Sequence, residues 1–323
     1  MILIISDRYD GSTCNVIDWL RYRGVDFQVL YENDFVEFVS SNLVGNLQSI
    51  QLETKKQAID TNKITKYWYR RGEINRRFMP IDDELIAHSK QEYLIKEWSF
   101  LKAFLHLIVE QKEGIGNFAA TYHTDKLKNL LLATKVGLQI PNTFISNKPD
   151  AMKEFIKKAP QNITKSIERD FNYRDNTMIC STFGTILVED KHIEVMNNQG
   201  RGFPVLLQNY VSKAYELRIF YALDRMWAMA IFSQRDDQTA IDFRNYNHKK
   251  PNRMVPFNVP KDLANKIHAF MRLVNLNTGS IDIIVTPENE YVFLEVNPVG
   301  QFGFVSYECN YQLEKEIAEI LLN

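Results

Sequence analysis

Three oxygen-bearing side chains near the C-terminal end of the sequence have the types and spacing that metal and phosphate chemistry needs. Asp282 stands in the run Ser280-Ile-Asp-Ile-Ile-Val-Thr, and Glu295 and Asn297 stand two apart in Tyr291-Val-Phe-Leu-Glu-Val-Asn-Pro. Both runs read as β-strands, and residues two apart on a strand share a face. Paired as a hairpin, the two runs bring Asp282, Glu295 and Asn297 together. Mg²⁺ takes such a set, a few hard oxygen donors with positions left for water and phosphate. The plainer alternative makes Asp282 a strand-end turn residue and Glu295 a solvent-facing one. Glu295 lies between Leu294 and Val296, however, and an unpaired carboxylate in a sheet interior is costly, so the metal reading is preferred.

Upstream, Lys126 and Lys165 are candidates to neutralise nucleotide phosphates as compact point charges. Glu216-Leu-Arg218 puts two charges on one face of a strand, with Arg218 placed to brace a transferring phosphoryl group. A structural cross-strand ion pair is an equal alternative. Asp242-Phe-Arg244 through Arg253 forms a local basic cluster suited to an acidic substrate, or a solvated loop. Arg70 and Arg71, beside Trp68 and Tyr69, form a second basic patch with the same ambiguity.

The elements that must position these residues follow from periodicity. Ile2 to Ile5 read as a buried strand. Ser12 is the expected N-cap of a helix through Trp19 and Tyr22, closed by Gly24 before a strand from Asp26 to Leu30. Lys66 to Arg71 reads as another strand, and about Asp82 to Gln111 as a long amphipathic helix. The run Gly114-Ile-Gly116-Asn-Phe-Ala119 matches a dinucleotide-binding pattern, but it follows a helix rather than a first strand and is taken as a turn. From residue 121 the spacing predicts a helix from Lys126 to Val136 ended by Gly137, an extended run from Ile140 to Ile145, a helix from Pro149 to Lys158, and a strand from Asn162 to Ile167. Glu168 to Phe183 reads as a mobile polar loop, and Ile186 to Met196 as strand-turn-strand. Strands follow over Val205–Tyr210, Leu217–Leu223, Trp227–Phe232, Ser280–Thr286 and Tyr291–Val296. Helices are expected over Lys261–Leu273 and Tyr311–Leu321, giving an α+β layout after an α/β opening.

Composition narrows the function classes. The 323 residues are 45% hydrophobic and 24% charged, an ordinary globular balance with material for two or three packed units. Lys and Arg number 39 against 40 for Asp and Glu, which argues against a nucleic-acid-binding protein that relies on overall positive charge. Cys14, Cys180 and Cys309 are scattered without CxxC spacing, so neither a disulfide framework nor a thiolate zinc site is indicated, and a reducing cytoplasm fits. No apolar stretch approaches the roughly 20 residues of a membrane helix. GxxxxGK[ST], HExxH and GxSxG are all absent from the sequence.

The ordered set resembles the ATP-grasp superfamily over roughly residues 120 to 323. It comprises Lys126, Gly137-Leu-Gln-Ile-Pro-Asn-Thr143, Lys165, Leu207-Gln-Asn-Tyr-Val211, Glu216-Leu-Arg218, Asp282 and Glu295-Val-Asn-Pro298. The resemblance implies an ATP-grasp fold with an N-terminal α/β domain at 1–120, a central lid and leader-peptide subdomain at 121–204, and a catalytic subdomain at 205–323. It implies nucleotide contacts at Lys126, Lys165, Glu216 and a hinge of Gln208, Asn209, Tyr210 and Val211, a phosphate-binding Arg218, and ligands for two Mg²⁺ ions at Asp282, Glu295 and Asn297. Trp68-Tyr-Arg70-Arg71, Asp242-Phe-Arg244 and Asn297-Pro-Val-Gly-Gln301 further resemble the graspetide (microviridin-type) peptide ligases, in the grasp-with-spasm maturase branch. Phe243 stands where that branch usually has tryptophan. A ligase of this kind uses ATP to join Asp or Glu side chains of a precursor peptide to Ser/Thr hydroxyls or Lys amines. Arg244 would hold the reacting carboxylate, and Arg70, Arg71, Glu189, Asp190 and Arg253 would contact the peptide. A homodimer is usual among such proteins. The rival readings are an amino-acid or small-peptide ligase similar to glutathione synthetase or the ribosomal-protein glutamate ligases, and a noncatalytic ATP-binding peptide adaptor.

Overall fold

Strand β1 (Ile2–Ser6) is buried at all five positions because it lies between neighbours in a parallel sheet. It pairs in parallel with β2 (Phe27–Tyr31), reached through helix α1 (Gly11–Tyr22), and with β6 (Lys66–Tyr69). Parallel strands covered on both faces carry continuous apolar runs, as here. The N-cap of α1 is Asp10 rather than the expected Ser12: the Asp10 carboxylate accepts from the Thr13 N–H, while Ser12 is buried in the first turn. A carboxylate at this end also meets the positive pole of the helix dipole.

A computed structural model of the chain describes all residues except 45–46, 79–86, 169–171, 176, 182–183, 190, 195–201, 235, 237–238, 240, 244–246 and 248. Between β2 and β6 it adds an antiparallel sheet of β3 (Glu37–Val44), β4 (Leu47–Glu53) and β5 (Ala58–Asp60). No strand was expected there, and β3, exposed at nearly every position, lacks the alternation that would reveal one. Helix α2 (Ala87–Glu110) covers the outer face of the parallel sheet, burying Trp98, Leu105, Ile108 and Val109 against Leu3, Ile5, Tyr67 and Tyr69.

The expected glycine turn is instead β7 (Glu113–Ile115), a fourth parallel strand beside β6. Gly114 permits the approach, since a Cβ there would lie 2.3 Å from the Tyr67 ring. Helix α3 (Phe118–Tyr122) follows, and α4 (Lys126–Lys135) ends as predicted, with Gly137 at a φ of +77°.

In the middle of the chain come β8 (Thr143–Ser146), α5 (Pro149–Ile156) and β9 (Asn162–Thr164). Within the stretch expected to be an irregular loop, β10 (Asn172–Arg174) and β11 (Ile179–Ser181) form an antiparallel pair. Next, β12 (Ile186–Leu187) leads into helical residues 191–194 instead of the expected second strand. The central sheet has the order β12-β9-β13-β8. Its β13 (Val205–Asn209), grouped with the C-terminal part by sequence, thus hydrogen-bonds in this sheet.

The C-terminal sheet contains β14 (Tyr215–Ala222), β15 (Arg225–Phe232) and β16 (Arg253–Phe257). Helix α6 (Lys261–Leu273) precedes its remaining strands, β17 (Thr278–Val285) and β18 (Tyr291–Asn297). All pairs are antiparallel in the order β16-β15-β14-β17-β18. On one face Leu217, Ile219, Tyr221, Ile281, Ile283 and Phe293 pack with α6 and α4. On the other, Phe220, Ala222, Met229 and Ile231 share a core with Ile2, Ile4, Trp68, α1, α7 (Gly303–Cys309) and α8 (Leu313–Leu322). Helix α7 was not foreseen as an element of its own. Asn277 fastens this junction: its side chain accepts from the Gly116 N–H at 2.7 Å and donates to the Gly114 carbonyl at 2.9 Å, and its backbone N–H donates to Asn117 Oδ1 at 2.9 Å. Among the described residues no helix is long and apolar enough to cross a membrane.

His106 of α2 stacks on Phe118 with ring centroids 4.0 Å apart, and its Nε2 has no hydrogen-bond partner among the described residues. Burial, helped by the nearby Lys102 ammonium, pushes its pKa down to about 3 from 6.5. Folded and unfolded chains are both neutral here above pH 6.5, so the stability is complete there. Below it the unfolded chain takes up a proton that the folded one refuses, and stability falls by up to about 1.4 kcal/mol per pH unit. Urea unfolding at a series of pH values between 6.5 and 4 will show this loss, and His106→Phe will flatten it.

Candidate functional site

Antiparallel register puts directly opposed residues on one face, and here it lines up charges across three strands. Arg218 on β14 opposes Asp282 on β17, which opposes Glu295 on β18. The next rung is Phe220, Ser280 and Asn297. A β-bulge makes this possible. The register shifts between Asp282 and Ile283, so that Asp282 faces Glu295 while Ile283 faces Phe293, leaving Leu294 as the extra residue. Phe293 and Val296 therefore both enter the core while Leu294, Glu295 and Asn297 all line a cleft.

That cleft, of about 320 Å³, lies between the central and C-terminal sheets. Pro141, Ile163, Ile284 and Leu294 give it apolar walls, and Asn209, Tyr210 and Val211, from the segment expected to be a hinge, border it. Lys126, Lys165, Glu216, Asp282, Glu295 and Asn297 also line it, so residues up to 171 positions apart in sequence (297 − 126) meet at one site. Apolar walls at one side and convergent charged groups at the other suit a small anionic ligand with an apolar part.

The charges are mutually supported. One Arg218 nitrogen, Nη1, donates to both Asp282 carboxylate oxygens at 2.7 Å, and the guanidinium lies over Phe304 of α7 at 5.7 Å. Lys126, the first residue of α4, lies 3.5 Å from Glu295 Oε2 and donates to the Ser166 carbonyl at 2.9 Å. The chain returns from Gly137 so that Gln139 bridges to Val292 and accepts from the Phe293 N–H. Helix α4 is thereby tied to β18, and its first residue reaches Glu295.

Asp282 and Glu295 together with the amide of Asn297 are the oxygen donors that Mg²⁺ accepts, and they share a face and a cleft. Among the described residues no cluster of three or more His, Cys, Asp and Glu offers an alternative metal centre. The donor set fits the ion: two carboxylates, each already drawing a cation, and one neutral oxygen.

Other expected residues fall elsewhere. The Gln208 side chain is buried and donates to Thr143 Oγ1 at 2.9 Å rather than facing the cleft. Arg70 corrects the sequence reading: it is buried and held by Asp10, Val299 and Gln301, which leaves no free surface for a peptide. Arg71 is half-buried beside the same Asp10. Glu189 pairs with Lys191, and Arg253 opens β16 with its guanidinium 5.5 Å from the Phe232 ring centre; neither borders the cleft. Arg244 and Asp190 lie outside the described residues, although Asp242 and Phe243 line the cleft.

Sequence reasoning missed Lys213. It is buried at the cleft and donates to Glu216 at 2.5 Å, while Ser233 Oγ donates to the same carboxylate oxygen at 2.9 Å. Burial pushes the Glu216 carboxyl above its ordinary value, and the Lys213 ammonium and the Ser233 hydroxyl pull the other way. The available signal was position, a lysine between the hinge and a strand glutamate three residues on. Lys213→Met strands a buried carboxylate and is expected to lower unfolding free energy by about 3–5 kcal/mol. The double variant Lys213→Met/Glu216→Leu should recover most of that loss in denaturant melts.

No protein-family model matches the chain, and no curated protein matches it in sequence. Solved structures do. A RiPP-associated ATP-grasp ligase of Chryseobacterium gregarium, in complex with ADP and a leader and core peptide, superposes with a TM-score of 0.83 at 23% identity, over 99% of this chain and 96% of that one. The macrocyclase MdnC of Microcystis aeruginosa, bound with precursor peptide MdnA, gives a TM-score of 0.79 at 26% identity, over 100% and 99% of the two chains. The ATP-grasp ligase PsnB, complexed with minimal precursor, Mg and ADP, gives 0.71 at 18% identity, over 99% and 96%. With its charged rung, hinge and paired sheets disposed around one cleft, the chain has the ATP-grasp fold over its whole length, in the form that these peptide-bound ligases share.

Proposed function

We propose that this protein is an ATP-dependent macrocyclase of a ribosomally made precursor peptide. The observation that carries the reading is the Asp282–Glu295 pair lining the cleft beside Lys126, with Arg218 bound to Asp282 from the next strand, in a chain that matches peptide-bound ligases from end to end. A core Asp or Glu carboxylate attacks the γ-phosphorus of ATP, ADP departs, and an acyl phosphate forms on the peptide. A Ser/Thr hydroxyl or Lys amine then attacks the acyl carbon and releases phosphate, leaving an ester or amide.

Lys126 and Lys165 bind the phosphates, and Arg218 spreads the charge that builds on the transferring group. The apolar walls at Pro141, Ile163, Ile284 and Leu294 receive the base. Asp282, Glu295 and Asn297 would hold Mg²⁺, two ions in this reading, which supply charge neutralisation at the phosphate oxygens. Arg244 is assigned to the reacting carboxylate, a role supported by the cleft positions of Asp242 and Phe243. Glu168 and Gly184, which flank the β10–β11 hairpin, line the cleft, and that hairpin would keep water from the acyl phosphate.

The division into 1–120, 121–204 and 205–323 is a proposal whose second boundary moves past β13, since that strand pairs with β8 and β9. A reducing cytoplasm is supported by the free thiols of Cys14 and Cys309. A homodimer is supported by Tyr93, Phe100 and Leu107, exposed and seven residues apart along α2. Phe100→Glu is expected to shift the protein toward monomer in light scattering.

The test of the activity combines ATP, Mg²⁺ and an Asp/Glu-rich precursor peptide encoded beside this gene. ADP should appear together with peptide that has lost one water per ring, and Glu295→Gln should reduce both by at least about 100-fold. ADP without a change in peptide mass would assign the ligase another acceptor; neither product would sink the reading.

A further inference from the structure

The guanidinium of Arg70, buried just beyond the end of β6, has no part in the chemistry above. It points away from the N-terminal sheet, into the turn that follows β18. Arg70 Nη1 donates to the Val299 carbonyl at 2.8 Å, and Nη2 to Gln301 Oε1 at 3.2 Å. Behind it, Asp10 supplies the counter-charge: Arg70 Nε lies 3.3 Å from Asp10 Oδ2, and Gln301 Nε2 donates to Asp10 Oδ1 at 3.1 Å. Asp10 is itself fixed, because its Oδ2 accepts from both the N–H and the hydroxyl of Thr13 in the first turn of α1.

The gripped turn begins at Asn297. The Gly300 N–H donates to the Asn297 carbonyl at 3.1 Å, and the Val299 N–H donates to Asn297 Oδ1 at 3.1 Å. Val299 is therefore held at its carbonyl by Arg70 while its N–H holds the Asn297 side chain. On the inner side the turn has no room to shift, since a Cβ on Gly300 would lie 2.5 Å from Ser280 Cβ. An amide oxygen has two acceptor sites, so the bond from Val299 orients Asn297 Oδ1 and leaves one site open.

We infer that Arg70 is a positioning residue for the metal site: by gripping the 298–301 turn from the N-terminal domain it fixes the side-chain oxygen of Asn297. The inference rests on the assignment of Asn297 as a metal ligand. Groups that orient a ligand without touching the metal typically change metal affinity by 10–100-fold when removed. Arg70 thus makes divalent-ion affinity depend on the docking of the N-terminal domain.

The experiment titrates Mn²⁺ into the full-length protein with ADP present and reads the free ion by electron paramagnetic resonance, alongside thermal melts. Arg70→Met is expected to weaken Mn²⁺ binding roughly tenfold. Thr61→Val, which removes a buried hydrogen bond to the Ile50 N–H in the same domain, should lower the melting temperature and leave Mn²⁺ affinity at the wild-type value. Wild-type Mn²⁺ affinity in folded Arg70→Met overturns the inference, as does an equal weakening by Thr61→Val. If Arg70→Met does not fold, Gln301→Ala decides: weaker Mn²⁺ binding supports the grip, and unchanged binding overturns it. Glu295→Gln separates the two layers. If that variant binds Mn²⁺ normally, the metal assignment itself fails; if it binds weakly while Arg70→Met does not, only the role of Arg70 falls.

Discussion

Like charges on one face of a sheet must be neutralised or kept apart, and that constraint organises this molecule. Asp282 and Glu295 stand side by side on neighbouring strands, an arrangement that is unfavourable unless cations attend it. Arg218 comes from the adjoining strand and is fixed by register. Lys126 comes from a helix in another part of the chain, and it arrives only because Gly137 reverses the backbone and Gln139 joins the edge of β18. The same sheet face changes character along its length: Glu216 lines the cleft, Arg218 meets it through Asp282, and Phe220 and Ala222, on the same strand, close a hydrophobic core with β1 and α1. The cleft wall and the packing against the N-terminal sheet are two ends of one face.

The N-terminal part of the chain is accordingly more than an appendage. Its parallel sheet shares a continuous apolar core with the C-terminal sheet and is pinned by the three hydrogen bonds of Asn277. Burial of this kind is worth roughly 25 cal/mol per Å² of apolar area, so a junction that shares large side chains such as Trp68, Phe220 and Phe302 resists sliding.

Legibility from sequence followed how locally each feature is determined. Helices with clear apolar periodicity, such as α4 ended by Gly137 and α6 over Lys261–Leu273, could be read to within a residue. The strands β14, β15, β17 and β18 could be read to within two residues, and with them the convergence of Asp282, Glu295 and Asn297. What escaped depends on partners distant in the chain. Gly114 looked like a turn because glycine usually punctuates; here it is a strand residue, needed because Tyr67 lies against it. Arg70 looked like a surface charge, and nothing near it in sequence announces Asp10 or Val299. Lys213 is one of many lysines until its burial against Glu216 is seen. The β3–β5 sheet is solvated along β3 and leaves no periodic trace.

The bulge at Leu294 has a further meaning. With strict alternation, Glu295 would share a face with Phe293 and point into the core; the extra residue is what turns the carboxylate outward while Phe293 and Val296 stay inside. Chain length between Tyr291 and Asn297 is therefore a chemical variable. Most surface strands absorb an added or lost residue by sliding their register. Here a one-residue deletion would exchange an outward carboxylate for a core side chain, so the length of this segment is as constrained as its residue types.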